Sequence, residues 1–302
     1  MMRILLGLSC VVLCAASGCA TTLSTYQTAD VTDFKQVEIE GATGFYANIG
    51  PVWGLASEGF TQGKAAWDAY NDGDPETNYE FDEESAQKLF TSAIALAVFM
   101  PGQNYQLGLR TGVIPDKMDV GFRWSMNAVR LDTKYQFLHV PFGRADTDQV
   151  YRKGSFDMAV GLAGSRYLFD NPALKPLEFL HLDDFSRWDV EVPLYASVDF
   201  GQILKLYTSP KYVYSHTTLD ENLVNYSQLA TLTTGYDLAL PEVVHSHFVG
   251  STVGAMVGYR WVWLALELTG GYTFCRPYVF GRYRDLGGPT FYPSAGIIVR
   301  AP

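Results

Sequence analysis

A strict alternation of apolar and polar side chains constrains the fold of this chain more than any other feature. In the run WDVEVPLYASVDF, from Trp188 to Phe200, seven apolar residues occupy every second position without a slip. Successive side chains of a β-strand point to opposite faces, whereas a helix repeats near 3.6 residues. The run therefore predicts a long strand with one apolar face and one largely polar face.

The same period recurs along the chain and predicts about ten strands. The other runs that carry it are 36–49, 104–113, 118–126, 129–137, 156–162, 203–214, 249–259, 262–274 and 291–299. Tight turns such as IPDK alternate with longer connections such as RADTDQVYRK. Short turns join antiparallel neighbours, so the pattern predicts an all-β, antiparallel architecture.

Alternation on this scale fits two architectures of opposite polarity. A soluble sandwich or lipocalin-like barrel turns its apolar face inward, whereas a transmembrane barrel turns it outward and uses strands of about 9 to 11 residues. The run lengths, the glycines and paired charges on the polar face, and a charged fraction of only 18% favour the membrane form. Aromatic residues near strand ends also favour it, and these are Trp124, Trp188, Phe200, Trp261, Trp263 and Phe274. We predict an antiparallel transmembrane β-barrel of about ten strands.

The first residues have the composition of a secretory leader. Arg3 precedes an apolar run from Ile4 to Leu13, which is too short to span a bilayer and so predicts a signal peptide over residues 1–18. Residues 16–19, ASGC, resemble the lipobox of bacterial lipoproteins, in which cleavage falls before the cysteine and that cysteine is acylated. The resemblance implies lipidation of Cys19. An ordinary secreted protein cut near Cys19 is the alternative.

Taken together, the chain resembles the lipoprotein-anchored β-barrels of the bacterial outer membrane. The resemblance rests on the lipobox, on YQTAD just after it, and on hairpin pieces such as MDVGFRW with DTKYQFL. It implies a lipid anchor in the bacterial outer membrane, with outer-membrane lipid as the partner. We therefore predict a lipid-anchored N-terminal linker over residues 19–33 and a barrel domain over residues 34–302.

Residues 51–101 depart from the strand pattern. The stretch DEESAQKLFTSAIALAVFM begins with acidic residues and continues with apolar residues at helix spacing. We predict a short helical and loop insert here. It either packs at the rim of the barrel or plugs the lumen, and the small bore of a ten-stranded barrel favours the rim.

Charged residues recur on the polar face of the predicted strands. Those expected to point into the lumen are Arg110, Arg123, Arg130, Asp132, Lys134, Asp189, Glu191, Asp199 and Glu267. They could line a selective pore or form a packed network of ion pairs. Because both signs occur and the bore is narrow, the network is favoured.

Candidate reactive residues are few. VVHSHF offers His245, Ser246 and His247, and YSHTTLDE offers His216 and Asp220. Neither spacing marks a hydrolase or a metal site, so we predict no catalytic residue, no metal and no cofactor. After loss of the leader and use of Cys19 by lipid, the single remaining cysteine is Cys275, which we interpret as a small strand residue.

These features predict a non-enzymatic, lipid-anchored outer-membrane barrel with a structural role or a role in transport of a small solute or hydrophobic compound. The 32 acidic residues outnumber the 22 basic ones, which argues against nucleic acid as a partner. Two alternatives stay open: an outer-membrane barrel enzyme acting on lipids, and a soluble lipocalin-like lipoprotein that binds an apolar ligand. The oligomeric state is not indicated by the sequence.

Overall fold

Ten long strands form the body of the molecule. The computed structural model describes residues 22–50, 101–125, 128–143, 153–167, 186–201, 203–219 and 240–301, with Trp53, Gln87, Thr91, Ala95, Phe99 and Val224. The barrel strands are β1 Val37–Asn48, β2 Gly102–Ile114, β3 Met118–Ser125, β4 Ala128–Gly143, β5 Lys153–Tyr167, β6 Ser186–Phe200, β7 Leu204–Thr218, β8 Val243–Tyr259, β9 Val262–Phe274 and β12 Gly288–Ala301. A separate small hairpin consists of β10 Tyr278–Val279 and β11 Arg282–Tyr283.

The ten strands close into one antiparallel barrel. Each strand pairs with its neighbour in sequence, β12 pairs with β9, and β1 pairs with both β2 and β12 to complete the ring. Closure leaves no strand edge with unpaired backbone groups, which a membrane-spanning sheet requires. The predicted fold class and strand number are confirmed.

The wall has the polarity of a membrane barrel. Along β9, Leu266 is 57% exposed, whereas the next residue, Glu267, is 5% exposed and points inside. Large apolar side chains are exposed around the whole barrel, for example Leu107, Leu131, Val192 and Val253. Such a continuous apolar exterior suits lipid rather than water, and a lipocalin-like barrel would have the reverse arrangement.

Aromatic side chains lie on the outside near both ends of the strands. Phe142 packs edge-on against Phe200 at one end, and Trp188 packs edge-on against Tyr214 at the other. These positions match the aromatic girdles of transmembrane barrels. Trp263 does not belong to them, because its side chain is buried inside with Lys205 over its ring. Trp263 lies near a strand end, as the sequence indicated, but on the inward register of β9.

The two ends of the barrel differ in their connections. At the turn end, residues 115–117, 201–203 and 260–261 are short turns, and residues 144–152 form a longer connection. At the loop end, residues 49–101, 168–185, 219–242 and 275–287 connect strands, with one tight turn at 126–127. The first residue of β1 and the last residue of β12 both lie at the turn end.

The described residues of the insert are helical and pack at the loop end. Gln87, Thr91 and Ala95 lie in helix, and the Phe99 amide donates to the Ala95 carbonyl over 2.9 Å. Ala95 and Phe99 are buried in an apolar cluster with residues of the loop end such as Val244. Most of 51–101 lies outside the described residues. No helix within the described ranges has the length and apolar character needed to cross a bilayer.

Tyrosines facing inward pack against glycines on neighbouring strands. Tyr207 of β7 lies opposite Gly254 of β8, and a side chain at position 254 would overlap the Tyr207 ring. The Tyr292 ring occupies the equivalent space over Gly44. Each glycine gives a large ring a place inside a narrow barrel, where every inward position is crowded.

We expect Gly254→Val to lower the free energy of unfolding by about 1 to 3 kcal/mol, because overpacking forces the Tyr207 ring and the strand apart. Gly164→Val is the matched control, since a side chain there meets nothing within 4 Å. Urea unfolding in phospholipid vesicles, followed by tryptophan fluorescence, measures both. Equal losses for the two variants would contradict the close Tyr207–Gly254 packing.

Candidate functional site

The interior of the barrel is the site where charged side chains concentrate. Eight of the residues expected to face the lumen are buried there, and they are Arg110, Arg123, Arg130, Asp132, Lys134, Asp189, Glu191 and Glu267. The ninth, Asp199, is partly buried and contacts Lys205 over 2.7 Å. The strand period explains this placement, since all nine lie on the register opposite the lipid-facing residues.

A central cluster links three strands. The Arg110 guanidinium is hydrogen-bonded to the carboxylates of both Asp119 and Asp132, and Lys134 Nζ lies 3.2 Å from Asp119 Oδ2. Gly121 makes this possible, because any side chain there would overlap the Arg110 guanidinium. Two carboxylates therefore face two cations in a buried space, as a stable buried network requires.

Further ion pairs surround this cluster. They are Arg123–Glu40 at 2.9 Å, Arg130–Glu191 at 2.5 Å, Arg187–Asp189 at 2.8 Å and Arg300–Glu38 at 2.8 Å. Charges of both signs alternate around the wall, so the lumen carries no uniform field that would select one type of ion. The arrangement is a network of neutralised pairs.

The chain before β1 runs through the lumen. We call residues Thr22–Thr32 the lumen segment; its side chains from Leu23 to Ala29 are all at most 3% exposed. The segment belongs to no strand and pairs with no strand backbone. The sequence predicted a linker over residues 19–33; of its described residues, 22–32 are enclosed by the barrel, whereas Asp33 is exposed. Cys19 itself lies outside the described residues.

Side chains of the wall accept hydrogen bonds from the backbone of the lumen segment. Glu267 accepts from the amides of Thr25 and Tyr26, over 2.9 and 2.5 Å. Nearer the turn end, further amide–acceptor pairs are Ala29 with Ser197 at 3.0 Å, Val31 with Gln136 at 3.2 Å and Thr32 with Asp119 at 3.0 Å. A buried amide without an acceptor is costly, and these side chains take the place of a neighbouring strand.

Cationic side chains of the wall donate hydrogen bonds to the carbonyls of the lumen segment. Lys134 Nζ donates to the carbonyls of Thr28 and Asp30, over 2.8 and 2.7 Å. Arg123 donates to the Thr25 carbonyl over 2.8 Å, and Lys211 donates to the Leu23 carbonyl. The charges of the wall therefore bind one another and also hold a peptide.

The sequence did not predict the burial of this peptide or the inward position of several charged residues of the wall. Residues 22–32, TLSTYQTADVT, are small and polar with no strand or helix period, so nothing in them predicts burial. Glu40, Arg187 and Lys211 could have been found, because each shares the inward register of its own strand. Glu40 and Lys211 lie inside the predicted runs 36–49 and 203–214 but were not assigned a face, and Arg187 lies one residue before the run that begins at Trp188.

The structure brings His216 and His245 together, with ring centroids 5.0 Å apart, but separates Ser246 from them. Ser246 is buried and faces inward, whereas His245 and His247 flank it and face outward, as the strand period requires. The outward histidines contact tyrosines: His245 Nδ1 lies 2.8 Å from Tyr214 Oη, and His247 Nδ1 lies 2.6 Å from Tyr212 Oη. The geometry gives no serine–histidine pair at this position. Asp220 lies outside the described residues.

Two further candidates have structural surroundings. Cys275 is buried directly after β9, and burial raises the pKa of its thiol to about 12, so the reactive thiolate is disfavoured. Within the described ranges, no group of three histidine, cysteine, aspartate or glutamate residues is placed to hold a metal ion.

No protein-family model and no curated protein sequence matches the chain. Among solved structures, the chain is similar to Neisserial surface protein A, with 10% identity over 87% of this chain and 95% of that one, and a TM-score of 0.33. It is also similar to outer membrane phospholipase A from Escherichia coli, with 9% identity over 89% and 98% of the two chains and a TM-score of 0.25. Neither likeness bears on activity, and the barrel assignment rests on strand pairing and wall polarity.

We expect Asp119→Ala to lower the free energy of unfolding by about 3 to 5 kcal/mol, as removal of one partner from a buried ion pair does. Arg110 and Lys134 lose their shared carboxylate, and the Thr32 amide loses its acceptor. Heat-modifiable migration on a gel and urea unfolding in vesicles report the change.

The control for this variant is Asp285→Ala. Asp285 pairs with Arg276 over 3.2 Å, and both side chains are largely exposed. Its loss should cost only about 0 to 1 kcal/mol. Similar costs for the two variants would show that the interior network contributes no more than a surface pair.

Proposed function

We propose that the chain is a lipid-anchored protein of the bacterial outer membrane with a non-enzymatic, structural role, whose barrel is kept closed by its own N-terminal segment. The observation that carries the proposal is the lumen segment, whose backbone is bonded to wall side chains from Leu23 to Thr32. The apolar exterior supports membrane insertion, and the ASGC sequence supports the anchor at Cys19.

A closed lumen argues against passage of solutes through the barrel. A solute would have to displace the lumen segment and break its bonds to buried groups such as Glu267 and Lys134. Each broken bond leaves a charged or polar group without a partner, which costs several kcal/mol in total. A stable, sealed barrel follows more directly from this arrangement than a transport path.

The separation of Ser246 from His245 supports the non-enzymatic role. A nucleophilic serine needs a base within hydrogen-bond reach, and these two side chains point to opposite faces of β8. The outward histidines instead lie among aromatic rings, with His216 stacked on Trp188 at a centroid distance of 5.2 Å. This surrounding suits the membrane interface, where amphipathic rings are common.

We expect the full chain to show no ion conductance in a planar bilayer, and a variant lacking residues 22–32 to conduct. In the variant, water replaces the peptide next to Arg123 and Lys134, which opens a polar path. Heat-modifiable migration first establishes that the variant still folds. Single-channel recording measures the conductance.

Asp285→Ala, which removes an exposed ion pair and the acceptor of the Gly287 amide at the loop end, serves as the control and should stay closed. Steady conductance by the full chain at low voltage would contradict the sealed barrel. A folded deletion variant that does not conduct would show that the wall side chains, rather than the lumen segment, close the bore.

The anchor is tested by metabolic labelling with a fatty acid. We expect Cys19→Ser to abolish the label and to leave the leader uncleaved by the lipoprotein peptidase, because both steps need the cysteine. Cys275→Ser, at a buried thiol, should keep full labelling. A labelled Cys19→Ser protein would refute the anchor.

A further inference from the structure

The lumen segment has a defined direction through the barrel. Its first residues contact the half of the wall nearer the loop end: Ser24 bonds to Gln106, close to the start of β2, and Leu23 packs in the apolar cluster with Val244. Its last residues contact the other half, where Thr32 bonds to Asp119 near the start of β3. The chain therefore runs from the loop end to the turn end.

A tight reversal at the turn end connects the segment to the wall. Phe34 forms a parallel bridge with Gly112 near the end of β2, and the Gln36 amide donates to the Asp33 carbonyl over 3.0 Å. Lys35 has a φ of 67°, the left-handed conformation that such a reversal uses. The chain then returns toward the loop end as β1, so it passes the length of the barrel twice.

From this direction we infer that the lipid anchor lies at the loop end, on the cell-surface side of the membrane, and not on the periplasmic side. The inference rests on the proposed function for the anchor itself. Only Ala20 and Thr21 separate Cys19 from Thr22, and an extended chain covers at most about 10 Å over that distance. Transmembrane barrels carry short turns on the periplasmic side and longer loops outside.

A return of the N-terminus to the turn end through the lumen is blocked. Between Leu23 and the turn end, the interior is occupied by the rest of the lumen segment, including the Tyr26 ring, and by the buried rings of Tyr195 and Tyr207. Acyl chains would also have to pass the charged groups that bind the segment, where no apolar path is present among the described residues. The chain before Thr22 therefore leaves the lumen at the loop end.

Contacts with both ends of the chain also hold the segment in place. β1 and β12, the first and last strands, pair with each other to close the ring. The Tyr26 hydroxyl donates to the Thr43 carbonyl of β1 over 3.2 Å, and its ring lies against Gly296 of β12. An acylated end cannot be pulled back through this filled, closed ring.

Epitope insertion tests the placement of the N-terminus. One tag follows Ala20, a second lies in the connection 168–185 at the loop end, and a third lies between Asp116 and Lys117 at the turn end. On intact cells, antibody should stain the first two tags to a similar extent and reach the third only after the membrane is permeabilised. Each tagged protein is first shown to fold by heat-modifiable migration.

Tag staining tests the position of the N-terminus, and fatty-acid labelling tests the anchor at Cys19 separately. An N-terminal tag that stains together with the Asp116 tag would overturn the inference, whichever end faces outward. If the first two tags stay hidden while the Asp116 tag stains, the cell-surface placement is wrong. If the N-terminal tag is exposed but Cys19 carries no fatty-acid label, the anchor is refuted, whereas the direction of the lumen segment still holds.

Cross-linking tests the threading without an insertion. In a Cys275→Ser background, Ser24→Cys with Gln106→Cys should form a disulfide when the chain folds under oxidising conditions, because the two side chains are in contact at 2.9 Å. Ser24→Cys with Gln136→Cys is the matched control and should not form one, since Gln136 contacts Val31 at the other end of the segment. The reverse result would overturn the direction of threading.

Discussion

The structure depends on one constraint: the backbone of a peptide enclosed by the barrel needs partners among the side chains of the wall. An extended peptide in a lumen has no neighbouring strand, so its amides and carbonyls have to be satisfied by side chains. Glu267 serves two successive amides, and Lys134 serves two carbonyls two residues apart. The inward charged residues therefore have two roles: they bind the backbone of the lumen segment, and they pair with one another.

This constraint also explains why the interior combines charges with large rings and glycines. A ten-stranded barrel has a bore that side chains nearly fill, so adding a peptide requires space at defined positions. Gly254 and Gly44 make room for Tyr207 and Tyr292, and Gly121 makes room for the Arg110 cluster. The Tyr207 hydroxyl then donates to Glu267 over 2.7 Å, so a packing ring also helps to hold the carboxylate that binds the segment.

The exterior follows a different rule, because lipid replaces water as the surroundings. Aliphatic side chains such as Leu264 and Val253 are exposed along the middle of the wall, and aromatic rings such as Phe200 and Trp188 lie toward its ends. The outward histidines of β7 and β8 belong to this interface by position and by their ring contacts. The histidines that suggest a reactive cluster in sequence thus share the outward face, whereas Ser246 lies on the inward face.

The sequence by itself determined about ten strands, their antiparallel order and the inward face of nine charged residues, because a period of two is a local property of the backbone. The opposite facing of Ser246 and His245 is known only from the structure, because β8 begins at Val243, before the predicted run 249–259. Only the tertiary structure decided which charges pair, that Trp263 faces inward as part of the interior, and that Thr22–Thr32 lies inside the barrel. Those facts depend on ring closure and on contacts between residues as far apart as Thr25 and Glu267, and no local pattern in a short polar peptide records them.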